Sequence, residues 1–128
     1  STYGGRPVPF YKRAQIAAAD LARAGAYAPR DLYQLTIFAD NLVPHVLRLD
    51  GILEFDPALT ARIDVQQLIE HGSPEEVEIR ACAVHAVELI VESRSETTAA
   101  TVDQYLWNKG RQPRYKASPR HRSRCTAY

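Results

Sequence analysis

The stretch SPEEVEIRACAVHAVELIVE, residues 73–92, decides the fold class. Ser73-Pro74-Glu75-Glu76 is a helix start. The serine oxygen can accept from the third helical N–H, proline at the first helical position already has the φ it needs, and Glu76 can bond back to the Ser73 N–H. Beyond it, Val77, Ile79, Ala83, Val84, Val87, Ile90 and Val91 fall on nearly every side of the axis. That pattern predicts a long helix buried on most faces, the centre of a helical bundle.

The flanking sequence reads the same way. Downstream, Thr98 to Lys109 sets Val102, Tyr105 and Leu106 at i, i+3, i+4, and Gly110 is read as the stop before a proline-punctuated tail. Upstream, Asp56-Pro57 marks another start, and Pro44 to Leu49 forms a short helix closed by Asp50-Gly51. Asp31 caps a predicted helix through Leu32, Leu35, Ile37 and Phe38, broken near Asp40 because Pro44 follows. The earliest helix, Phe10 to Ala24, follows Pro9 and stops at Gly25, and residues 1–9 with their glycines and prolines form a connection. No alternating strand pattern is present, so the expectation is an all-α, compact multi-helix bundle.

Composition excludes several classes. Of the 128 residues, 45% are hydrophobic and 24% charged, the profile of one globular domain spanning 1–128. Net charge is +1, so no global field draws the chain to nucleic acid or an anionic membrane. The distribution is uneven: seven Lys/Arg and no acid lie between Lys109 and Arg124, making 111–128 a basic C-terminal tail. On charge alone a solvated tail is the simpler reading, and phosphate contact the sharper one. Cys82 and Cys125 have no metal-ligand spacing, so neither zinc nor a disulfide framework is expected, and a reducing, cytoplasmic setting fits. No apolar run is long enough to span a membrane.

Phosphate-loop, dinucleotide-binding, zinc-protease and serine-nucleophile motifs are all missing. What remains is polar groups in apolar surroundings: Lys12, Asp40, Glu88 and Asp103. Each has an ordinary structural role open to it. Lys12 could sit in solvent, Asp40 could cap the next turn, and Glu88 could pair with Arg80 or Arg94.

Five ordered blocks carry more information: PFYKRAQIAAADL (residues 9–21), DLYQLTIFADNLVPHVLRLDGIL (31–53), GSPEEVEIRACAVHAVELI (72–90), VDQYLWNKGR (102–111) and PRHRSRCTAY (119–128). Together they resemble the successive blocks of the queuosine salvage family over nearly the whole chain. The resemblance implies a helical fold similar to the helix-hairpin-helix DNA glycosylases, about twice as long as this chain, so that an N-terminal half of the same enzyme would complete the site. The implied activity is hydrolysis of queuosine 5'-phosphate to release queuine, without metal or cofactor.

On that resemblance, the aspartate of the FAD block, Asp40, and the lysine of the FYKRAQ block, Lys12, lie at the reacting centre. Cleaving an N-glycosidic bond builds positive charge on the sugar, which a carboxylate beneath C1' stabilises. Lys12 could hold Asp40 ionised, bind the 5'-phosphate or orient the ribose. Asp103, Trp107 and Asn108 fall where the base would be recognised, and Phe38 and Asn41 flank Asp40. Asn41, Leu42 and His45 depart from the form FADYRVPQ seen in eukaryotic relatives, which bears on any role of His45 toward substrate. Arg122 and Arg124 of the HRSR block suit phosphate or the carboxylate of a neighbouring helix. The rival readings are a helical nucleic-acid-binding module, although direct binding is not favoured, and a non-catalytic interaction domain.

Overall fold

The computed structural model describes residues 1–27, 29–94 and 96–125. The last three positions of the PRHRSRCTAY block, and with them the end of the 111–128 tail, lie outside the described residues. The fold is mostly helical: α1 Lys12–Arg23, a 3₁₀ turn Leu32–Gln34, α2 Val43–Leu49, α3 Pro57–Asp64, α4 Pro74–Glu92, α5 Ala99–Gly110 and α6 Pro113–Lys116. A small hairpin precedes them, β1 Thr2–Tyr3 against β2 Arg6–Pro7. Its turn is Gly4-Gly5, both at positive φ, the geometry that twists two strands into register. That hairpin corrects the expectation of no strand, because two residues a side are too short to show alternation.

Helix starts follow the capping chemistry. Asp56 accepts from the Ala58 and Leu59 N–H groups, Ser73 from Glu76 N and Thr98 from Thr101 N. The Glu76 return bond goes to Gly72 N at 3.2 Å rather than to Ser73, whose N–H is taken by the Glu70 carbonyl. α1 opens later than Phe10 and without a side-chain cap, behind Tyr11 at φ 46.

The core is built where α2 packs on α4 and α5, around Ile37, Val43, Val46, Leu47, Ala83, Val87 and Leu106. α4 is not enclosed on most faces as its composition implied. Cys82, His85 and Leu89 are exposed, and only the face carrying Val77, Arg80, Ala83 and Val87 is buried. Glu88 is half-buried, and Arg80 pairs with Glu76 instead.

α5 ends at Gly110, as the sequence indicated, but without the left-handed turn of a glycine stop. Gly110 is the buried last residue of α5, and a Cβ there would lie 2.7 Å from Leu42 Cδ1 and 2.9 Å from Val46 Cγ2. The glycine permits the close approach of α5 to α2.

The helix expected after Asp31 does not form beyond the single turn Leu32–Gln34. Leu35 turns to φ −62, ψ 137, and the chain then runs without regular structure to Asp40, with Ile37 and Ala39 buried and Phe38 and Asp40 half-buried. This two-residue alternation buries one side. Its backbone groups are satisfied by side chains from three helices: Thr36 N donates to Gln15 Oε1 at 2.8 Å, Phe38 N to Asp103 Oδ1 at 2.9 Å, and Arg80 Nε to the Ala39 carbonyl at 2.9 Å. These long-range bonds replace the i→i−4 ladder.

As far as Cys125 the basic tail is anchored to the fold at a few points, while its Lys and Arg side chains stay exposed to solvent. Tyr115 and His121 are buried at 2% exposure, and Ile69 N donates to the Arg122 carbonyl at 2.8 Å.

Candidate active site

Asp40 stands at the end of the 35–40 segment, immediately before α2. Its Oδ1 accepts from Leu42 N at 2.8 Å and Val43 N at 2.9 Å, so the capping role is real. Among the described residues no hydrogen bond is taken by Oδ2. Asp40 also lines a cleft of about 510 Å³ with Asn41, His45 and Trp107, within the range of small-ligand pockets. One oxygen is thereby fixed while the carboxylate keeps the capacity to act on a ligand.

Asp103 and Lys12 belong to the same electrostatic neighbourhood. Burial pushes the Asp103 carboxyl up to about 6, against the hydrogen bond from Phe38 N, with the Asp40 charge raising it further and Lys12 opposing. Lys12 is half-buried and, among the described residues, forms no ion pair. Its helix start breaks local rules: Lys12-Arg13 occupies the positive end of the dipole with no acid in the first turn, behind an N-cap of positive φ. Tertiary contacts hold it there. Gln15 Nε2 donates to the Phe10 carbonyl at 3.0 Å and to Thr36 Oγ1 at 2.9 Å, and the Arg80 guanidinium lies 3.9 Å over the Phe10 ring. These contacts fix the start of α1 that carries Lys12.

His45 is buried at 2% exposure. Its Nε2 lies 2.8 Å from the Tyr115 carbonyl, which can only accept, so Nε2 carries the proton and Nδ1 presents a lone pair. Burial holds the ring below its ordinary pKa, against the Tyr115 contact, and therefore neutral. Nδ1 is buried and without a partner among the described residues. Beside it, Trp107 is 39% exposed, with the Arg111 guanidinium 5.0 Å over its ring.

Other expected residues fall elsewhere. Asn108 lines a separate cleft of about 590 Å³ with Arg23, Tyr33 and Tyr105, because it sits one residue round α5 from Trp107. Arg122 donates to Gln66 Oε1 at 3.4 Å, and neither it nor Arg124 lines the Asp40 cleft. Phe38 is half-buried and held through its own N–H by Asp103, outside the cleft lining. Residues that composition did not single out frame the site instead: Gln15, Glu76, Arg80 and Tyr115. The Glu76–Arg80 spacing of i, i+4 was the one visible hint. Among the described residues no group of three or more His, Cys, Asp or Glu could hold a metal ion, and no helix is long and apolar enough to cross a membrane.

The geometry defines a mostly helical protein with a carboxylate-bearing cleft. The chain matches the family described as queuosine salvage protein over residues 1–128, and it belongs to that family. It is similar to proteins named queuosine 5'-phosphate N-glycosylase/hydrolase: one from Sphaerobacter thermophilus is 44% identical over 138 residues, covering 100% of this chain and 42% of that protein. The relative from Dictyostelium discoideum is 39% identical over 136 residues, and that from Bos taurus 35% over 144, each covering 98% of this chain and 42% of the relative. The chain thus spans about 42% of the length of these relatives.

Proposed function

We propose that this chain carries the reacting centre of an enzyme that hydrolyses the N-glycosidic bond of queuosine 5'-phosphate, releasing queuine for salvage into tRNA modification. The observation that carries the reading is Asp40, anchored through one oxygen by two α2 N–H groups and set in the wall of a nucleotide-sized cleft. Its carboxylate stabilises the cationic sugar as the base departs, and either adds to C1' or activates water. Lys12 offsets the charge that Asp40 sets against Asp103. Asp103 and Trp107 meet the base by charge and by stacking, with Phe38 tied to Asp103 through its N–H, and Asn41 and His45 stand on the ribose side.

The remaining length of such an enzyme completes the cleft and the helix-hairpin-helix glycosylase-like architecture that the blocks resemble. On this reading residues 1–128 are one part of a single helical domain. Free Cys82 and Cys125 fit a cytoplasmic location. Incubating the complete enzyme with queuosine 5'-phosphate and following free queuine tests the reading. Release that stops in Asp40→Ala supports it, and full release in that variant removes Asp40 from the mechanism.

A further inference from the structure

Two helices are left partly uncovered by the packing of this chain. α4 carries apolar residues on nearly every side of its axis, a composition that belongs to a helix enclosed by neighbours. Its outward face nevertheless stands open at Cys82, His85 and Leu89. Leu89 and the neighbouring Ile52 are each 51% exposed. α1 is the more extreme case, because none of its 12 residues is buried and Leu21 is 47% exposed.

These open surfaces are continuous. A cleft of about 730 Å³ separates α1 from α4, with Ala18 on one wall, Val84 and His85 on the other, and Phe10 and Leu35 between them. A second, of about 660 Å³, shares Ala81 and His85 with the first and runs past Leu89 to Ile52. A third, of about 420 Å³, shares Leu53 and Cys82 with the second and reaches Ala58 and Leu59 of α3. The three make one trough along the outward face of α4, from α1 to α3. A contiguous apolar surface of this extent marks a place where protein packs on protein.

The start of the chain lies on this same face. β1 packs against α4, and the Tyr3 hydroxyl donates to Glu78 Oε1, with Cys82 close enough to Tyr3 to act on its charge. A segment preceding Ser1 would therefore emerge beside the trough. The relatives have such length to supply, since this chain spans only 42% of the Sphaerobacter thermophilus protein that it matches throughout.

We propose that the trough is the docking face for the remaining portion of the same polypeptide, whose apolar side chains lie along α4 between α1 and α3. The inference rests on the reading of residues 1–128 as one part of a longer enzyme. Closing the trough also buries one side of α1, the helix that carries Lys12.

Cys82, in the middle of the trough, reports on its cover. In the complete enzyme, N-ethylmaleimide labelling of Cys82, located by peptide mass spectrometry, should run at least about 10²-fold slower in the folded protein than in urea. Labelling at the unfolded rate overturns the proposal. Protection that disappears on dilution overturns it in favour of a second copy, because cover by the same polypeptide is independent of concentration. Leu89→Lys gives a second measurement. On a bare face this cation in the last turn of α4 is neutral or stabilising, whereas under a packed cover it should lower the melting temperature by at least about 3 °C. An unchanged melting temperature overturns the docking face. Neither readout uses catalysis: protection of Cys82 supports the docking face even if queuine is never released, and unaltered release in Asp40→Ala defeats the hydrolase mechanism alone.

Discussion

Arg80 Nε donates to the carbonyl of Ala39 at 2.9 Å, one residue before Asp40, while Arg80 Nη1 is paired with Glu76 Oε1 at 3.0 Å. Both side chains are buried, at 3% and 0% exposure. The pair ties α4 to the segment that delivers the proposed catalytic carboxylate, so a charge fixed in the core sets the position of a charge in the cleft.

Removing the Glu76 charge takes away the carboxylate paired with a buried guanidinium. Glu76→Gln should lower stability by about 3–5 kcal/mol in urea unfolding. A loss below about 1 kcal/mol would show that the Arg80 charge finds other compensation.

Gly110 permits the contact between α5 and α2. Gly110→Ala gains up to about 1 kcal/mol of helix propensity but forces a methyl against Leu42 and Val46, both buried. Overpacking of this kind typically costs about 1–3 kcal/mol, so the variant should be net destabilised. Combining it with Leu42→Ala should recover part of that loss in a double-mutant cycle. Stabilisation by Gly110→Ala would show that Leu42 and Val46 give way to the methyl and that the close approach does not depend on glycine.

Two buried groups give stability an opposite pH dependence. Burial lowers the His121 ring to about 4 from an ordinary 6.5, so its contribution is complete above pH 6.5 and is lost as pH falls through about 4. Burial raises the Asp103 carboxyl from 3.8 to about 6, so its contribution is complete below pH 3.8 and is lost as pH rises through about 6. Each term is on the order of 3 kcal/mol. Relative to wild type, His121→Gln should flatten the decline between pH 6.5 and 4, and Asp103→Asn the decline between pH 4 and 6. Curves parallel to wild type would show that these groups titrate alike in the folded and unfolded chain.

Much of the helical frame was legible because its starts are local. Asp56, Ser73 and Thr98 cap the helices they precede, using atoms within three residues. The 35–40 segment was not legible. Leu32, Leu35, Ile37 and Phe38 have helical spacing, but the groups that hold the chain extended, Gln15, Arg80 and Asp103, come from three separate helices. A pattern within one window cannot register them.

The candidate site was legible to a different degree. Asp40 and Lys12 stood out through the block resemblance, and the structure places Lys12 near Asp103, which Asp40 also influences. The basic tail was visible as charge. Which cations are neutralised depends on Asp50, which lies far from Lys109 and Arg114 in sequence and adjacent to them in space.

On the proposed mechanism the Asp40 carboxylate stabilises a sugar made cationic by departure of its base. Asp40→Asn isolates the charge, because the amide oxygen can still accept from Leu42 N and Val43 N and so preserve the cap. Queuine release from queuosine 5'-phosphate should fall by at least about 10²–10³-fold in kcat with melting temperature nearly unchanged. Release at the wild-type rate by a folded Asp40→Asn enzyme would contradict the account.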